Sequence, residues 1–192
     1  MGDSPNRWLS TGSIRGDDYD SRYEARAAAG EEVHGEANFV DAYHVTSVLD
    51  AGCGTGRVGR ELARRGIDVV GVDIDPVMLG TAQRKAPDVE WMVADIASVN
   101  LERTFDAVLM AGNVMIFLTP GTEGQVIANM ARHLSPGGLL IAGFQLMPGR
   151  LKLETYDELA AAAGLTLDAR FATWERGEWA PGGNYAVSVH RR

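Results

Sequence analysis

Apolar positions in this chain fall into short runs separated by amphipathic stretches, and that alternation predicts most of the elements. Val45-Thr46-Ser47-Val48-Leu49-Asp50 has the continuity of a strand covered on both sides. Beyond a glycine-rich turn, Val58, Leu62 and Ala63 mark the inner face of a helix that Arg64, Arg65 and Gly66 bring to an end. The alternation then repeats. Asp68–Val72 reads as a strand and Pro76–Ala86 as a helix with proline in its first turn. Val89–Ala94 and Phe105–Met110 read as strands, followed by a helix over about Thr122–Leu134. Pro136-Gly137-Gly138 turns the chain into a fifth strand, Leu139–Phe144, and Thr155–Ala163 is a helix closed by Gly164. Thr166–Trp174 and Tyr185–His190, joined by a Gly/Pro-rich loop, predict a hairpin.

Ahead of the first strand, Tyr19–Ala29 suits a helix with Tyr19, Tyr23 and Arg26 on one side, and His34–Tyr43 suits a second. The stretch before them is polar and broken by Gly and Pro, so residues 1–18 are expected to be flexible. Five βα repeats imply an α/β, doubly wound, Rossmann-like parallel sheet with helices on both faces, and the hairpin adds one antiparallel strand. A length of 192 residues suits one core, so 19–192 is expected to form a single domain.

Composition narrows the partners. No apolar run approaches the roughly 20 residues of a membrane span, and Met1-Gly2-Asp3-Ser4-Pro5 lacks the layout of a secretory signal. The lone cysteine, Cys53, excludes an intramolecular disulfide and points to a reducing cytoplasm. A net charge of −8 argues against a broad phosphate-binding face, hence against nucleic acid as a partner. No metal-ligand cluster stands out; His133 and His190 are isolated in sequence.

The chemistry concentrates in Asp50-Ala51-Gly52-Cys53-Gly54-Thr55-Gly56-Arg57. Glycine at every second position lets the backbone pass close to a ligand, and the following helix offers free N–H groups at its start. A nucleotide-like cofactor at the carboxyl end of the sheet is the natural occupant. Gly54-Thr55-Gly56-Arg57-Val58-Gly59 also fits the dinucleotide fingerprint, with Asp73 at about the expected distance. Charge separates the two cases: a carboxylate at Asp50 would repel a pyrophosphate and pair with an ammonium. Asp73, ending the second strand, can take both ribose hydroxyls, and Asp95, after the third, can accept from an adenine amino group. Ile74, Met78 and Ile96 are candidates to sandwich the ring.

Those residues, with Val70-Gly71-Val72-Asp73-Ile74, Ala94-Asp95, Phe105-Asp106-Ala107-Val108 and Leu134-Ser135-Pro136-Gly137-Gly138, resemble the class I S-adenosylmethionine-dependent methyltransferases, specifically small bacterial ones with a minimal domain. The resemblance runs from about Tyr19 to Arg192. It implies sheet order 3-2-1-4-5-7-6 with strand 7 antiparallel, S-adenosyl-L-methionine as cofactor and S-adenosyl-L-homocysteine as product. It also implies that a helix carrying Tyr19 and Tyr23, within 19–43, closes as a lid over the methionine end of the cofactor. The cofactor residues expected are then Tyr19, Tyr23, Asp50, Gly52, Cys53, Gly54, Gly56, Asp73, Ile74, Met78, Asp95, Ile96 and Met110.

Methyl transfer from a sulfonium asks little bond-making chemistry of the protein beyond alignment and exclusion of water. Catalytic residues are correspondingly poorly marked, with His34 and Asn113 as candidates and no metal. Met110, Met115, Met147, Trp174 and Trp179 fall near the sheet's carboxyl edge, as acceptor-pocket or core residues. Ala111-Gly112-Asn113-Val114-Met115 keeps only the asparagine of the Asn/Asp-Pro-Pro-aromatic signature, which counts against nucleobase or glutamine-amide acceptors. The expected reaction is in-line methyl transfer to a small molecule. A nicotinamide-dependent oxidoreductase using the same glycine run, and a non-catalytic S-adenosylmethionine-binding module, are the alternatives; the oligomeric state stays open.

Overall fold

The computed structural model describes residues 6–192. Seven strands form one sheet: β1 (Ser47–Ala51), β2 (Asp68–Asp73), β3 (Glu90–Val93), β4 (Phe105–Met110), β5 (Leu134–Gln145), β6 (Thr166–Phe171) and β7 (Tyr185–Arg191). Their order is β3-β2-β1-β4-β5-β7-β6, as expected. β7 runs antiparallel between β5 and β6, and the other neighbouring pairs are parallel. The helices are α1 (Asp17–Ala28), α2 (Gly35–Asp41), α3 (Arg57–Arg64), α4 (Pro76–Lys85), α5 (Val114–Phe117), α6 (Glu123–Arg132) and α7 (Leu153–Ala162). None of them is long and apolar enough to cross a membrane.

Strand alternation feeds two separate cores. Leu49, Val70, Val108 and Met110 pack with Met115, Ile127, Met130 and Tyr156 from α5, α6 and α7. Val48, Val69, Leu109 and Ile141 face the other way, against Phe39 and Val40 of α2 and Val58 and Leu62 of α3. The central strands are therefore buried on both sides, which is why they read as near-continuous apolar runs. At about 25 cal/mol per Å² of apolar area, the two layers are the dominant source of stability.

Local chemistry sets the element ends. Asp75 caps α4, its Oδ1 accepting the Val77 N–H at 2.9 Å, and Pro76 fills the first turn where its missing N–H costs nothing. Trp91 on β3 lies in a socket made by glycines: a Cβ would come within 2.2 Å of its ring at Gly71 and 2.5 Å at Gly56.

Several elements differ from the sequence reading, and three of the differences have a clear physical reason. β5 starts at Leu134, which pairs with Phe105; the Pro136-Gly137-Gly138 turn becomes an irregularity between Phe105 and Ala107. There a Cβ on Gly138 would lie 2.9 Å from the Ser135 carbonyl oxygen. β6 stops at Phe171 because the Ala172 N–H turns to the Gly177 carbonyl at 2.8 Å, carrying Trp174 away to pack on Phe39. Finally, α5 follows Asn113; four residues are too few to show a helical period.

The expectation of a flexible N-terminal stretch falls in part on residues 1–5, which lie outside the described residues. Asn6 to Gly16 carries contacts that its polarity does not announce. The Trp8 amide donates to the Phe117 carbonyl at 3.2 Å, and its indole N–H donates to Asp75 Oδ2 at 2.9 Å.

Candidate functional site

At the carboxyl edge of β1, β2 and β3 the chain forms a half-open cavity of about 130 Å³. Parallel register explains why three acids gather there. Asp50 pairs with Gly71 and Asp73 with Val93, so the strands end almost level and the residues that follow share one rim. After β1 the amides of Gly52 and Cys53 both turn to the Val72 carbonyl, at 2.7 and 3.1 Å, which draws the glycine loop across the end of β2. Gly52 needs its bare Cα: φ is 79°, and a Cβ would sit 2.5 Å from Val114 Cγ2.

Asp73 is nearly buried, and its carboxylate is aimed by two backbone donors. The Gly54 N–H donates to Oδ2 at 2.7 Å and the Asp75 N–H to Oδ1 at 2.8 Å. Each oxygen keeps a lone pair for a ligand. Burial raises its pKa, against the pull of those N–H donors. Asp50 Oδ2 accepts the Gly59 N–H at 3.0 Å. Its burial pushes the carboxyl up to about 7; Gly59 and Arg57 oppose the rise and Asp73 adds to it. Asp95 is exposed at the rim, its Oδ1 held by the Ala97 N–H at 2.8 Å. Burial, with Asp50 and Asp73 nearby, raises the Cys53 thiol pKa, and its side chain lines the cavity.

Opposite the loop stands an aromatic row. Trp8 meets Phe117 edge-on at 5.5 Å and Tyr19 at 6.3 Å, and Tyr19 lies 5.7 Å from Tyr23. The two tyrosine hydroxyls are 3.5 Å apart. Burial, with Tyr23 next, raises the Tyr19 pKa, which keeps that hydroxyl a donor. The Arg57 guanidinium stacks over the Tyr23 ring at 4.3 Å while Glu36 holds it through two bonds of 2.5 and 3.0 Å.

Of the residues singled out from sequence, Tyr19, Tyr23, Asp50, Gly52, Cys53, Gly54, Asp73, Ile74, Met78, Asp95 and Ile96 line this one cavity. Four do not. Gly56 turns toward Trp91 and Ala82, so its missing Cβ makes room for packing and not for a ligand. Met110 is fully buried in the core, as is Met115, because both side chains point to the α6 layer. His34 is the N-cap residue of α2 and faces a neighbouring open groove beneath α1, which meets the cavity only at Tyr23 and Arg57. Asn113 is a structural brace: at φ 68° its Oδ1 accepts the Gln145 N–H at 2.8 Å, tying the loop after β4 to the end of β5. Met147, Trp174 and Trp179 also lie outside the lining. Sequence reading missed Trp8, Arg57 and Phe117. Arg57 directly follows the glycine run and was findable by position, whereas a lone indole in a polar stretch carries no periodic signal.

Residues 48–138 match the model of a methyltransferase domain family. A TehB-like SAM-dependent methyltransferase of Corynebacterium glutamicum is 34% identical in sequence. It superposes with a TM-score of 0.83, over 91% of this chain and 96% of that one. A cypemycin N-terminal methyltransferase of a Streptomyces species is 36% identical over 120 residues, 57% of this chain and 49% of the relative. A dTDP-3-amino-3,4,6-trideoxy-alpha-D-glucopyranose N,N-dimethyltransferase of Streptomyces venezuelae is 32% identical over 97 residues, 50% of this chain and 41% of the relative. The chain thus spans half or less of the length of these two curated relatives.

Proposed function

The chain belongs to the S-adenosylmethionine-dependent methyltransferases, and from that premise we propose that it transfers a methyl group to a small-molecule acceptor by in-line displacement. The observation that carries this reading is the convergence of Asp50, Asp73 and Asp95 on one glycine-walled cavity. Arg57 is the one cation among its described lining residues. Such a cavity suits a cofactor with an ammonium and no phosphate, and it would repel a pyrophosphate.

In this reading Asp73 accepts the ribose hydroxyls on its free lone pairs and Asp95 accepts from the adenine amino group. Ile74, Met78 and Ile96 flank the adenine, with Trp8 and Phe117 closing that end. Gly52 and Gly54 allow close approach and Asp50 pairs with the α-ammonium, while Arg57, held by Glu36 and the Val33 carbonyl, brings positive charge to the wall on the α-carboxylate side. Tyr19 and Tyr23 cover the methionine end. S-adenosylmethionine supplies a methyl group already activated on a sulfonium. The protein's part is to align the acceptor and to keep water out with its aromatic row. No general base is assigned, since His34 and Asn113 lie away from the cavity.

A small acceptor is supported by what the relatives are named for, a peptide N-terminus and an amino sugar. The net charge of −8 and the missing Pro-Pro after Asn113 favour it over nucleic acid. A single cysteine fits a reducing cytoplasm. Calorimetry provides the test. S-adenosylhomocysteine should bind and NADH should not, and Asp73→Ala should weaken the binding by about 1–3 kcal/mol while the protein stays folded. Binding of NADH alone, or unchanged affinity in Asp73→Ala, would sink the cofactor site; absence of turnover across an acceptor library despite tight binding would leave a binding module.

A further inference from the structure

α1 is docked in an unusual way. Its only buried residue is Asp20, 1% exposed, and no apolar side chain of the helix is buried. A helix without an apolar stripe has little to fix its rotation. Its outer ion pair, Asp17 with Arg84, is more than half exposed on both sides and contributes little.

Asp20 is different. Its carboxylate accepts the Thr55 hydroxyl at 2.7 Å and both contacts of Arg60 Nη2 at 2.9 and 3.0 Å, and it also takes the Lys85 ammonium. Burial opposes the charge, yet the bonds from Lys85 and Thr55 and the charge of Arg60 outweigh it, so the group stays ionised. Thr55 is itself buried and belongs to the glycine loop that lines the cavity. Tyr19 precedes Asp20 and Tyr23 follows it by less than one turn, so the rotation Asp20 imposes is the rotation that aims both rings. One carboxylate therefore joins the glycine loop to the helix that covers it.

We propose that Asp20 is a positioning residue for cofactor binding: by holding Thr55, Arg60 and Lys85 it keys α1 to the glycine loop and brings Tyr19 and Tyr23 over the methionine end of the cavity. This rests on the reading of that cavity as the S-adenosylmethionine site. The reaction itself does not pass through Asp20.

The test is a titration of wild type, Asp20→Asn and Thr55→Val with two ligands. One is S-adenosylhomocysteine; the other is 5′-methylthioadenosine, which lacks the amino-acid part. Amide exchange is followed over 17–28. Asp20→Asn should bind S-adenosylhomocysteine at least about tenfold more weakly and 5′-methylthioadenosine only slightly more weakly, with amides of α1 exchanging fast even with ligand. Thr55→Val, which removes one bond and leaves the ion pairs, should lose about fivefold on the same ligand and only a few degrees of melting temperature. Equal losses on both ligands would mean that Asp20 merely supports the fold, and wild-type affinity in both variants would also overturn the proposal. If wild type itself ignores S-adenosylhomocysteine, the cofactor reading falls first and takes this one with it.

Discussion

Asp50 shows how much a single side chain takes from its surroundings. The same carboxylate in an open loop would be ionised well below neutrality; burial behind the glycine loop brings it up to about 7. Without ligand its folded pKa exceeds the unfolded value. Its contribution to stability is therefore full below about 4 and lost as pH rises through about 7. A ligand ammonium reverses the preference by favouring the carboxylate. Affinity for S-adenosylhomocysteine should consequently rise with pH up to about 7, by as much as about tenfold per unit, and level off above. Binding below pH 7 should release a proton, seen as a dependence of calorimetric enthalpy on the buffer's ionisation heat. In Asp50→Asn both effects should vanish; their persistence would move the titration to another group, with Asp73 next in line.

Among the elements, β3 depends on a socket built from its neighbours. Trp91 fits only because Gly71 on β2 and Gly56 and Gly59 around the start of α3 carry no side chain. The indole N–H then reaches the Ala86 carbonyl at 2.8 Å, anchoring the turn between α4 and β3. Gly71→Ala would put a Cβ 2.2 Å from the Trp91 ring and should destabilise by about 1–3 kcal/mol, as overpacking does. For a domain of this size that is a melting shift of roughly 2–12 °C. Adding Trp91→Phe should recover part of the loss. A melting temperature unchanged in Gly71→Ala would show that the ring moves freely and that the socket carries no strain.

At the scale of the whole molecule, the sheet also buries a titratable group outside the candidate site. His190 on β7 lies edge-on against Tyr156 at 5.3 Å, within a layer that also holds Asp157, Arg170 and Ser188. Burial depresses its pKa, with Arg170 helping and Asp157 opposing. The sign follows directly: the unfolded chain takes up a proton near pH 6.5 that the folded chain refuses. Stability is therefore full above that pH and declines as pH falls through the lowered folded value. In an Asp50→Asn background, which removes the carboxyl whose contribution runs the other way, the melting temperature should drop between pH 7 and 5. His190→Gln, less stable throughout, should show a flatter profile over that range; parallel profiles would assign the acid sensitivity elsewhere.

Much of this molecule follows from local rules that survive folding. Alternating runs such as Val45–Asp50 and Phe105–Met110 predict buried parallel strands, and the glycine loop with Asp50, Asp73 and Asp95 predicts the cofactor end, because strand ends and tight turns are set within a few residues. What the sequence could not decide depends on distant segments meeting. Met110 faces the core and not the cavity because strand alternation, and not its nearness to a loop, sets its direction. Gly56 belongs to Trp91, thirty-five residues on, and Asn113 to Gln145. Trp8 closes the site from a stretch too polar to show any period, held by Asp75 across 67 positions. Asp20 reads locally as one of three acids in a first turn. Only the packed structure, by burying it against Thr55, Arg60 and Lys85, makes it the joint between helix and loop, since the cost of burying a charge exists only once the chain has surrounded it.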